Sequence, residues 1–390
     1  MKNVILIVAN NASRTGAPIL LLNLLQWIKK QSTLRFIFIL DSGGELLDDY
    51  KSLGEVFLLG NIKRPVYTSK PIKQFLYKAG RKIFKRNDQF YTTAFIKKLS
   101  RQHNIQLVLS NTAINGALLG ELKKLISAKI ITYVHEGERL LDVNSKTGTV
   151  SKGLQVSDII IAVSDSVKQV LINKFQVTIP IQIITGAIDI NNIKINSGAA
   201  LPELDHIPSD TIKIMACGYP VWQKGTDYFI QIANKLCKSR SDVHFIWLGG
   251  TDTDEGFSQM LYDIEKLNLT KRVTLITTKQ SAIDYINCAD IFLVLSRNES
   301  FSLVTAEAGF CKKPVLCFDK AGGPCEIVDF KPEFIVPYAA IDDMCKKINL
   351  LSDNPALRLQ MGTYLNERVK ANYIIDKSAG ELLGLITELI

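Results

Sequence analysis

The sequence lacks the long apolar run that a membrane-spanning helix requires. Its longest apolar stretches, such as residues 4–9 and 159–163, are far shorter than the roughly 20 residues that cross a bilayer. No signal peptide is predicted, because the first residues lack a small-residue cleavage pattern and pass directly into a polar loop. We expect a soluble globular protein of two or three domains, since 390 residues exceed what one hydrophobic core usually serves.

Cysteine pairs and histidine clusters are also missing. All seven cysteines lie in the second half of the chain without a Cys-x-x-Cys spacing, and the four histidines are scattered. This distribution argues against a disulfide framework and against a zinc site. It predicts reduced thiols packed in the core of a cytoplasmic protein.

Acidic residues are nearly absent from one segment, residues 61–103. It holds twelve Lys or Arg against Asp88 alone, a local balance of +11, so the remaining residues contribute −2 to the net charge of +9. Aromatic and aliphatic residues alternate with the basic ones, as in helices that lie on anionic membranes. We predict one or two basic amphipathic helices that contact an anionic membrane surface, and no nucleic acid partner. A merely solvated basic surface is the alternative.

Short apolar runs alternate with amphipathic segments of helical length along the rest of the chain, which is typical of βαβ units and parallel sheets. One series of strands is predicted at 3–9, 35–40, 106–110, 129–134, 158–163 and 181–184, and a second at 212–217, 243–248, 273–276, 290–295, 314–318 and 333–336. Helices are predicted at 17–30, 114–126, 165–174, 224–238, 257–267, 302–311, 341–350 and 376–390.

These series predict an α/β protein with two Rossmann-like, doubly wound domains. The first covers residues 1–192, a proline-containing linker 193–210, the second domain 211–372, and a C-terminal helix 373–390. That helix either closes the second domain or crosses back to the first. Open α/β sheets bind ligands at the carboxyl ends of their strands, so we expect the site in a cleft that the two domains face.

Two glutamates lie eight residues apart in the stretch RNESFSLVTAEAG, residues 297–309. A buried strand is predicted before this stretch and a helix from Ser302, so Glu299 precedes the helix and Glu307 lies within it. The free N–H groups of a helix's first turn bind phosphate, and a carboxylate accepts hydrogen bonds from hydroxyls. The pattern therefore favours a nucleotide sugar, although a helix cap and a solvated glutamate are the alternative. Small neighbours of Glu307 favour close packing against a ligand or another stretch of backbone.

The stretch resembles the E-x7-E signature of retaining GT-B glycosyltransferases, particularly family 4. This resemblance implies that Glu299 contacts the donor sugar or its phosphate and that Glu307 contacts the ribose. It also implies that the backbone of the following four residues faces the diphosphate: Ser300, Phe301, Ser302 and Leu303. The resemblance covers nearly the whole chain except the basic segment.

The segment ACGYPVWQKG, residues 216–225, resembles the family's G-R-x(4)-KG pattern, in which basic side chains bind the diphosphate. Gly218 and Lys224 match, whereas Tyr219 occupies the position where arginine is common. The resemblance therefore gives Lys224 a larger share of the phosphate charge. Arg297 is a hypothetical second source of positive charge.

Three further segments complete the predicted site by resemblance. Gly16 matches the glycine at a helix start that approaches the sugar, His135 matches a histidine near the donor sugar, and Thr278 to Gln280 lie where the family contacts the nucleobase, which includes Lys279. A turn glycine and a structural histidine are the alternatives. The acceptor side is predicted to include Ser13, Arg14, Thr15, Glu138 and Arg139.

The resemblance implies a retaining glycosyltransferase with His135, Glu299 and Lys224 as catalytic residues. Its donor is expected to be a nucleoside-diphosphate sugar, with UDP favoured over GDP, and its acceptor a glycan or glycolipid hydroxyl in bacterial lipopolysaccharide, O-antigen or capsule synthesis. No Asp-x-Asp motif is assigned to a suitable strand-end loop, so we expect no metal and no other cofactor. The expected location is cytoplasmic, peripheral at the inner face of the membrane. A GT-B-like sugar-nucleotide epimerase and a non-catalytic binding homologue are the alternatives.

Overall fold

The computed structural model describes residues 3–60, 81–196 and 198–390, without the side chains of residues 81–89. Thirteen strands are present in these ranges, and each runs parallel to its neighbours in a sheet. They are β1 (Val4–Ala9), β2 (Arg35–Leu40), β3 (Gly54–Leu58), β4 (Ile105–Ser110), β5 (Lys129–Val134), β6 (Ile159–Ala162), β7 (Ile181–Ile183), β8 (Ile212–Cys217), β9 (Val243–Leu248), β10 (Val273–Ile276), β11 (Ile291–Val294), β12 (Val315–Phe318) and β13 (Ile335–Val336).

Helices connect most of these strands, as parallel pairing requires a crossover between consecutive strands. In the first part of the chain they are Gly16–Gln31, Leu47–Leu53, Arg81–Gln102, Gly116–Leu125, Glu138–Ser145, Thr149–Val156 and Asp165–Asn173. In the second part they are Thr226–Ser239, Glu255–Lys266, Ala282–Cys288, Leu303–Phe310, Gly323–Ile327, Ile341–Asp353, Pro355–Asn372 and Ile375–Leu389. Single 3-10 turns lie at Ala113–Asn115, Pro202–Leu204 and Trp222–Lys224.

The strands form two sheets, one in each of two compact units. The first sheet has the order β3-β2-β1-β4-β5-β6-β7, and the second has the order β10-β9-β8-β11-β12-β13. Both orders place the first strand of the unit in the middle and reverse direction beside it, which is the doubly wound topology. The predicted α/β class with two Rossmann-like sheets is confirmed.

Buried apolar runs create both sheets. Every residue of β1 and of β9 is buried, and these strands have apolar side chains on both faces because helices cover both sides of a parallel sheet. In the second unit Phe229 of a covering helix packs edge-on against Phe245 and Trp247 of β9. This packing holds the carboxyl ends of the central strands at fixed positions.

The boundary between the units falls earlier than the predicted linker. The first unit comprises Met1–Val163, Val167–Ile184 and Ser378–Ile390, and the second comprises Ser164–Ser166 and Thr185–Lys377. The segment 193–210 thus lies within the second unit, where Glu203 is hydrogen bonded to Tyr285. Most of the last helix, from Ser378 onward, belongs to the first unit.

The basic segment is only partly described, because residues 61–80 and the side chains of 81–89 lie outside the described residues. Within the helix Arg81–Gln102, Ile96 and Leu99 are buried in the core of the first unit, whereas Lys97 and Lys98 are exposed. In this part of the segment apolar residues therefore face the core, which differs from the membrane-facing arrangement that we expected. In the described ranges no helix is long and apolar enough to cross a membrane.

Candidate functional site

The second sheet changes direction between β8 and β11. The chain runs outward from β8 through β9 and β10 and then returns to β11 on the other side of β8. Loops that leave such a pair of strands diverge, and open α/β sheets bind ligands in the crevice between them. The loop after β8 contains Gly218, Tyr219 and Lys224, and the loop after β11 contains Arg297 and Glu299. The topology thus brings both predicted donor-binding segments to one edge of this sheet.

Lys224 and Glu299 form an ion pair at this edge. The Lys224 ammonium donates to Glu299 Oε1 at 2.5 Å, and the Ser296 hydroxyl donates to the same oxygen at 2.7 Å. The Lys224 side chain is 26% exposed and that of Glu299 is 12% exposed, so the pair is accessible on one side only. A partly desolvated cation beside a carboxylate suits an anion whose neighbouring groups are hydroxyls.

The two loops that carry this pair are joined by direct hydrogen bonds. The backbone N–H of Arg297 donates to the carbonyl of Gln223 at 2.8 Å, and the Gln223 side-chain amide donates to the carbonyl of Asn298 at 2.7 Å. Each loop therefore fixes the other within one or two residues of the ion pair. Such preorganisation lowers the cost of ordering the site when a ligand binds.

Arg297 is already paired, which contradicts the hypothesis that it supplies free charge to the phosphates. Its guanidinium donates to both carboxylate oxygens of Asp227, at 2.9 and 2.7 Å, and to the carbonyl of Trp222 at 2.5 Å. It also lies between the rings of Trp222 and Tyr228, 4.3 and 4.0 Å from their centroids. With its side chain 8% exposed, Arg297 joins the two loops instead of facing solvent.

The helix Leu303–Phe310 begins beside the ion pair. Ser302 precedes it with φ +83°, a conformation that non-glycine residues rarely adopt. Ser302 accepts a hydrogen bond from the Thr305 hydroxyl at 2.8 Å and makes no side-chain cap. The N–H groups of Leu303 and of the next residue lie in the first turn and have no acceptor within the helix, so they can donate to an anion at this edge.

Phe301 serves packing and not ligand contact through its side chain. The ring is buried and lies against Tyr373, with centroids 5.5 Å apart. A Cβ on Gly186 would meet this ring at 2.2 Å, and one on Gly323 would meet the Phe301 backbone at 2.4 Å. The fit holds the backbone around Phe301 against the loop that contains Gly186 and the start of the helix Gly323–Ile327.

Glu307 is the unpaired carboxylate of the site. It is half-buried in the helix, and its side chain has no hydrogen-bond partner among the described residues. Burial raises its pKa to about 7. Burial first and the charge of Glu307 second raise the pKa of Cys217, the last residue of β8, which locates the carboxylate close to that strand end. A buried carboxylate without a partner can accept hydrogen bonds from the hydroxyls of a ligand.

Two glycines allow the loop after β8 to pass close to other groups. Gly225 has φ +75°, and a Cβ there would meet the carbonyl oxygen of Leu295 at 2.2 Å. Gly218 has φ +150°, and the Lys224 side chain lies across it with Cδ 3.3 Å from the site of a Cβ. Only glycine fits at Gly225, because both the backbone conformation and the space exclude a side chain.

Tyr219 occupies the position at which the resemblance led us to expect arginine, and its side chain is engaged within the protein. Its ring is exposed, and its hydroxyl donates to Asp254 at 2.5 Å. Contrary to the prediction, an Asp-x-Asp spacing does occur after β9, at Asp252 and Asp254. Asp254 also accepts from the backbone N–H of Thr251 at 2.6 Å. No group of three or more possible metal ligands exists among the described residues.

Two side chains of the predicted nucleobase segment, those of Thr278 and Lys279, are engaged within the protein. The Thr278 hydroxyl and backbone N–H both donate to the carbonyl of Gly250, at 3.1 and 2.8 Å. Lys279 donates to Glu203 at 2.5 Å, and the bonds from Lys279 first and Tyr285 second lower the pKa of Glu203 to about 2. A contact to the base from Thr278 or Lys279 would therefore come from backbone groups other than the Thr278 N–H.

In the first unit the loop after β1 is held by its own polar residues. The Ser13 hydroxyl donates to Asn11 at 2.7 Å and lies 3.0 Å from the Thr15 hydroxyl. The backbone N–H of Arg14 donates to Glu45 at 3.2 Å. Gly16 is exposed at the start of its helix and is not among the glycines with positive φ. The backbone conformation at position 16 therefore does not itself require glycine.

His135 follows β5 and contacts the loop after β4. Its Nε2 lies 2.8 Å from Asn111 Oδ1, and its ring stacks on Tyr133 with centroids 4.1 Å apart. Burial lowers the pKa of His135 to about 3, so the ring is neutral at pH 7. Asn111 lies beside β1 at the point where the first sheet changes direction, since β4 returns to the other side of β1.

Glu136 is a buried acid that sequence reasoning missed. It is 5% exposed and accepts hydrogen bonds from the Thr112 hydroxyl and from the backbone N–H groups of Ala113 and His135, at 3.4 and 3.1 Å for the latter two. Burial raises its pKa. Its place directly after a predicted strand and beside His135 was the available signal. The predicted acceptor-side Glu138 instead forms an exposed ion pair with Lys174 at 2.9 Å.

Arg139 lies beside this pair at the start of the helix Glu138–Ser145 and is exposed. Its side chain therefore remains accessible to solvent at the first helical turn after His135.

Comparisons with known proteins bear on the second unit most directly. Residues 203–368 match the family model described as "Glycosyl transferases group 1". The chain is 24% identical to an uncharacterized glycosyltransferase of Haemophilus influenzae over 192 residues. This stretch covers 49% of this chain and 53% of that protein. The chain spans about half the length of the curated relatives it matches. The matched family segment contains Lys224, Glu299 and Glu307.

Solved structures resemble the whole chain. Sucrose-phosphate synthase of Thermosynechococcus elongatus gives a TM-score of 0.79 at 16% identity and covers 100% of this chain and 99% of that chain. HepE of Anabaena, solved in complex with UDP-glucose, gives 0.76 at 16% identity and covers 99% of this chain and 100% of that chain. The predicted GT-B fold is confirmed by these likenesses. The family match supports a glycosyltransferase domain in residues 203–368.

Proposed function

We propose that the protein is a retaining, metal-independent glycosyltransferase that transfers a sugar from a nucleoside-diphosphate sugar to a hydroxyl of a glycan or glycolipid. The observation that carries the proposal is the arrangement at the edge of the second sheet. The loops after β8 and β11 bring together the Lys224–Glu299 pair and the start of the helix Leu303–Phe310, and this helix contains the unpaired Glu307 carboxylate. This set offers positive charge for a diphosphate and carboxylates for hydroxyls.

In this proposal the diphosphate binds at the helix start. Lys224 and the first-turn N–H groups stabilise its charge, which matters most when the leaving group departs. Glu307 accepts hydrogen bonds from the ribose hydroxyls, because its half-buried carboxylate lacks a partner in the described protein. Glu299 holds the Lys224 ammonium at 2.5 Å and faces the transferred sugar or its phosphate.

The reaction breaks the bond between the anomeric carbon and the donor phosphate oxygen. The electron pair of that bond passes to the diphosphate, the acceptor hydroxyl oxygen bonds to the anomeric carbon on the same face, and the hydroxyl proton passes to the leaving phosphate. Lys224 offsets the charge that develops on the leaving group. His135, neutral at pH 7, contacts a sugar hydroxyl in this scheme.

The donor is proposed to be a UDP-sugar. Support comes from the likeness to HepE of Anabaena, which was solved with UDP-glucose. The Lys279 ammonium is paired with Glu203 and the Thr278 N–H with the carbonyl of Gly250, so the remaining backbone groups of this segment are proposed to contact the base. A small base that is recognised through the backbone suits this arrangement.

The acceptor side is proposed to be membrane-associated. The charge of +11 in residues 61–103 suits an anionic lipid surface at the inner face of a bacterial membrane, where lipopolysaccharide, O-antigen or capsule acceptors are assembled. Flotation with vesicles of neutral or anionic lipid tests this. Binding that needs anionic lipid and falls when Lys97 and Lys98 are replaced by glutamine supports the proposal, and equal binding to neutral vesicles contradicts it.

Thermal-shift and calorimetric titration with UDP, GDP and their sugars test the donor. We expect UDP-sugar binding that weakens at least about tenfold in Lys224→Ala, because a charge-assisted contact to phosphate is lost. Lys235→Ala is the matched control, since Lys235 forms an exposed pair with Asp342. Unchanged binding in Lys224→Ala would contradict the assignment.

Incubation with UDP-sugar and a mixture of glycolipid acceptors then separates the function classes. A transferase releases UDP only with an acceptor, whereas an epimerase forms a new UDP-sugar without one. Activity that disappears with EDTA and returns with magnesium or manganese would refute metal independence. Binding of UDP-sugar without turnover on any acceptor would favour a non-catalytic homologue.

A further inference from the structure

Asn111 links His135 to the first helix of the chain. It lies directly after β4 and is 4% exposed. Its side-chain NH2 donates to the carbonyl of Ala17 at 3.2 Å, and its Oδ1 lies 2.8 Å from His135 Nε2. Its backbone N–H donates to the carbonyl of Val8 in β1 at 2.8 Å. Each of its polar groups named here is therefore committed to a specific partner.

These partners determine which ring nitrogen of His135 carries the proton. A backbone carbonyl only accepts hydrogen bonds, so the NH2 group of Asn111 must face Ala17. The amide oxygen then faces His135, and because this oxygen also only accepts, Nε2 must be protonated. In the neutral ring Nδ1 consequently has a free lone pair. No partner for Nδ1 occurs among the described residues.

The surroundings hold the ring in this orientation. The ring stacks on Tyr133, whose hydroxyl is fixed by a bond to the carbonyl of Ile184 at 2.7 Å. The Glu136 carboxylate is the nearest acid along the chain, and it is occupied by the backbone N–H of His135 and by the Thr112 hydroxyl. Neither neighbour therefore competes for Nδ1.

We propose that Asn111 is a positioning residue that fixes His135 as the Nε2–H tautomer and so reserves Nδ1 as the acceptor for a hydroxyl of the bound sugar. This inference rests on the proposed function for the identity of the ligand. The tautomer itself follows from the contacts of the free protein. Because Ala17 lies in the first turn of the helix Gly16–Gln31, the same amide also fixes His135 relative to the loop after β1.

Nuclear magnetic resonance of protein with 15N-labelled histidine reads the tautomer directly. His135→Gln identifies the signals of His135 among those of the four histidines. We expect wild type to show Nε2 protonated and Nδ1 unprotonated, without averaging between the two forms. A protonated Nδ1 or an averaged spectrum in wild type would overturn the proposal, even if no variant folds.

Two variants assign the effect to Asn111. Asn111→Ala removes the acceptor and should release Nε2–H, which gives a mixture of tautomers. Asn111→Asp keeps an oxygen acceptor and should retain Nε2–H while losing the donor to Ala17. Asn115→Ala is the control, because Asn115 donates to Ser110 and to Val8 and not to His135. An unchanged tautomer in Asn111→Ala overturns the role of Asn111.

Binding measurements connect the tautomer to the ligand. Asn111→Ala should bind UDP within about twofold of wild type and UDP-glucose about tenfold more weakly, since one hydrogen bond to the sugar is lost. Equal loss for both ligands, or no loss for UDP-glucose, would overturn the sugar contact. If wild type binds neither ligand, the proposed function fails. The resonance measurement on the ligand-free protein still tests whether Asn111 fixes the tautomer of His135.

Discussion

Glu307 provides a direct test of the site, because a carboxylate kept for a ligand should destabilise the protein that lacks the ligand. Its pKa is raised from 4.5 to about 7 by burial. A group whose pKa is raised in the folded state stabilises the fold below its unfolded pKa, and this stability is lost as pH rises through the folded pKa. Above pH 7 the ionised side chain therefore reduces the free energy of unfolding.

The shift corresponds to about 3 kcal/mol at roughly 1.4 kcal/mol per pKa unit. Because the side chain is only half-buried, we expect about 2 kcal/mol to be recovered when Glu307→Gln removes the charge at pH 8. For a unit of this size that is a rise in Tm of about 4–8 °C. At pH 5 the wild-type carboxyl is protonated when folded but still partly ionised when unfolded, so the difference between the proteins should fall to about a quarter of its value at pH 8.

Calorimetry of the ligand-free proteins at pH 5 and pH 8 measures this effect, and titration with UDP-glucose measures the cost to function. We expect Glu307→Gln to be more stable and to bind UDP-glucose at least about tenfold more weakly, since hydrogen bonds to a charged acceptor are lost. Glu265→Gln, at an exposed position on another helix, should change neither quantity. A variant that is less stable at pH 8, or that binds as well as wild type, would refute the assignment of Glu307 to ligand.

Three further predictions concern the loops around Lys224. Arg297→Gln should weaken UDP-glucose binding and lower the stability of the free protein, because it leaves Asp227 unpaired. Calorimetry measures the stability and titration the binding. Weaker binding with unchanged stability would mean that Arg297 contacts the phosphate directly. Gly225→Ala should destabilise by about 2–4 kcal/mol in a denaturant titration, through strain at φ +75° and a clash with the carbonyl at the end of β11, and a neutral effect would contradict this geometry. Tyr219→Arg should tighten UDP binding about threefold at low salt and less at high salt, because it adds a screened positive charge, and weaker binding would place this side chain away from the diphosphate.

The strands of both sheets could be predicted from sequence because most are continuous apolar runs. The exception is β3, Gly54–Leu58, which is an edge strand and only partly buried, so its apolar signal is weak. The helix Pro355–Asn372 was missed as well. It begins with a proline and contains Gly362, whose missing side chain lets the helix pack on the backbone of Lys312. Most of its residues favour helices, but its apolar residues do not mark one helical face along the whole segment, so the periodic signal that predicts an amphipathic helix is weak.

The side-chain partners of the site were not predictable in the same way. Resemblance to a motif assigned Lys224 and Glu299 to one ligand but did not predict their ion pair. The two residues are 75 positions apart in the sequence, and the fold brings Lys224 Nζ to 2.5 Å from Glu299 Oε1. The pairing of Arg297 with Asp227 similarly depends on which helix follows the loop after β8. Such contacts are set by strand order and loop length, and a periodic pattern does not encode them.

Each sheet gathers polar residues where its direction changes, and the two sets differ in charge. Beside β8 the second sheet has an ammonium, a helix start and two carboxylates, a combination that suits an anion flanked by hydroxyls. Beside β1 the first sheet has Asn111, a neutral His135 and a Glu136 whose oxygens are already hydrogen bonded. Neutral acceptors held by backbone partners discriminate hydroxyls by geometry, since they gain little from charge. Under the proposed function, the set beside β8 supplies affinity for the diphosphate, and His135 contributes to the choice of sugar.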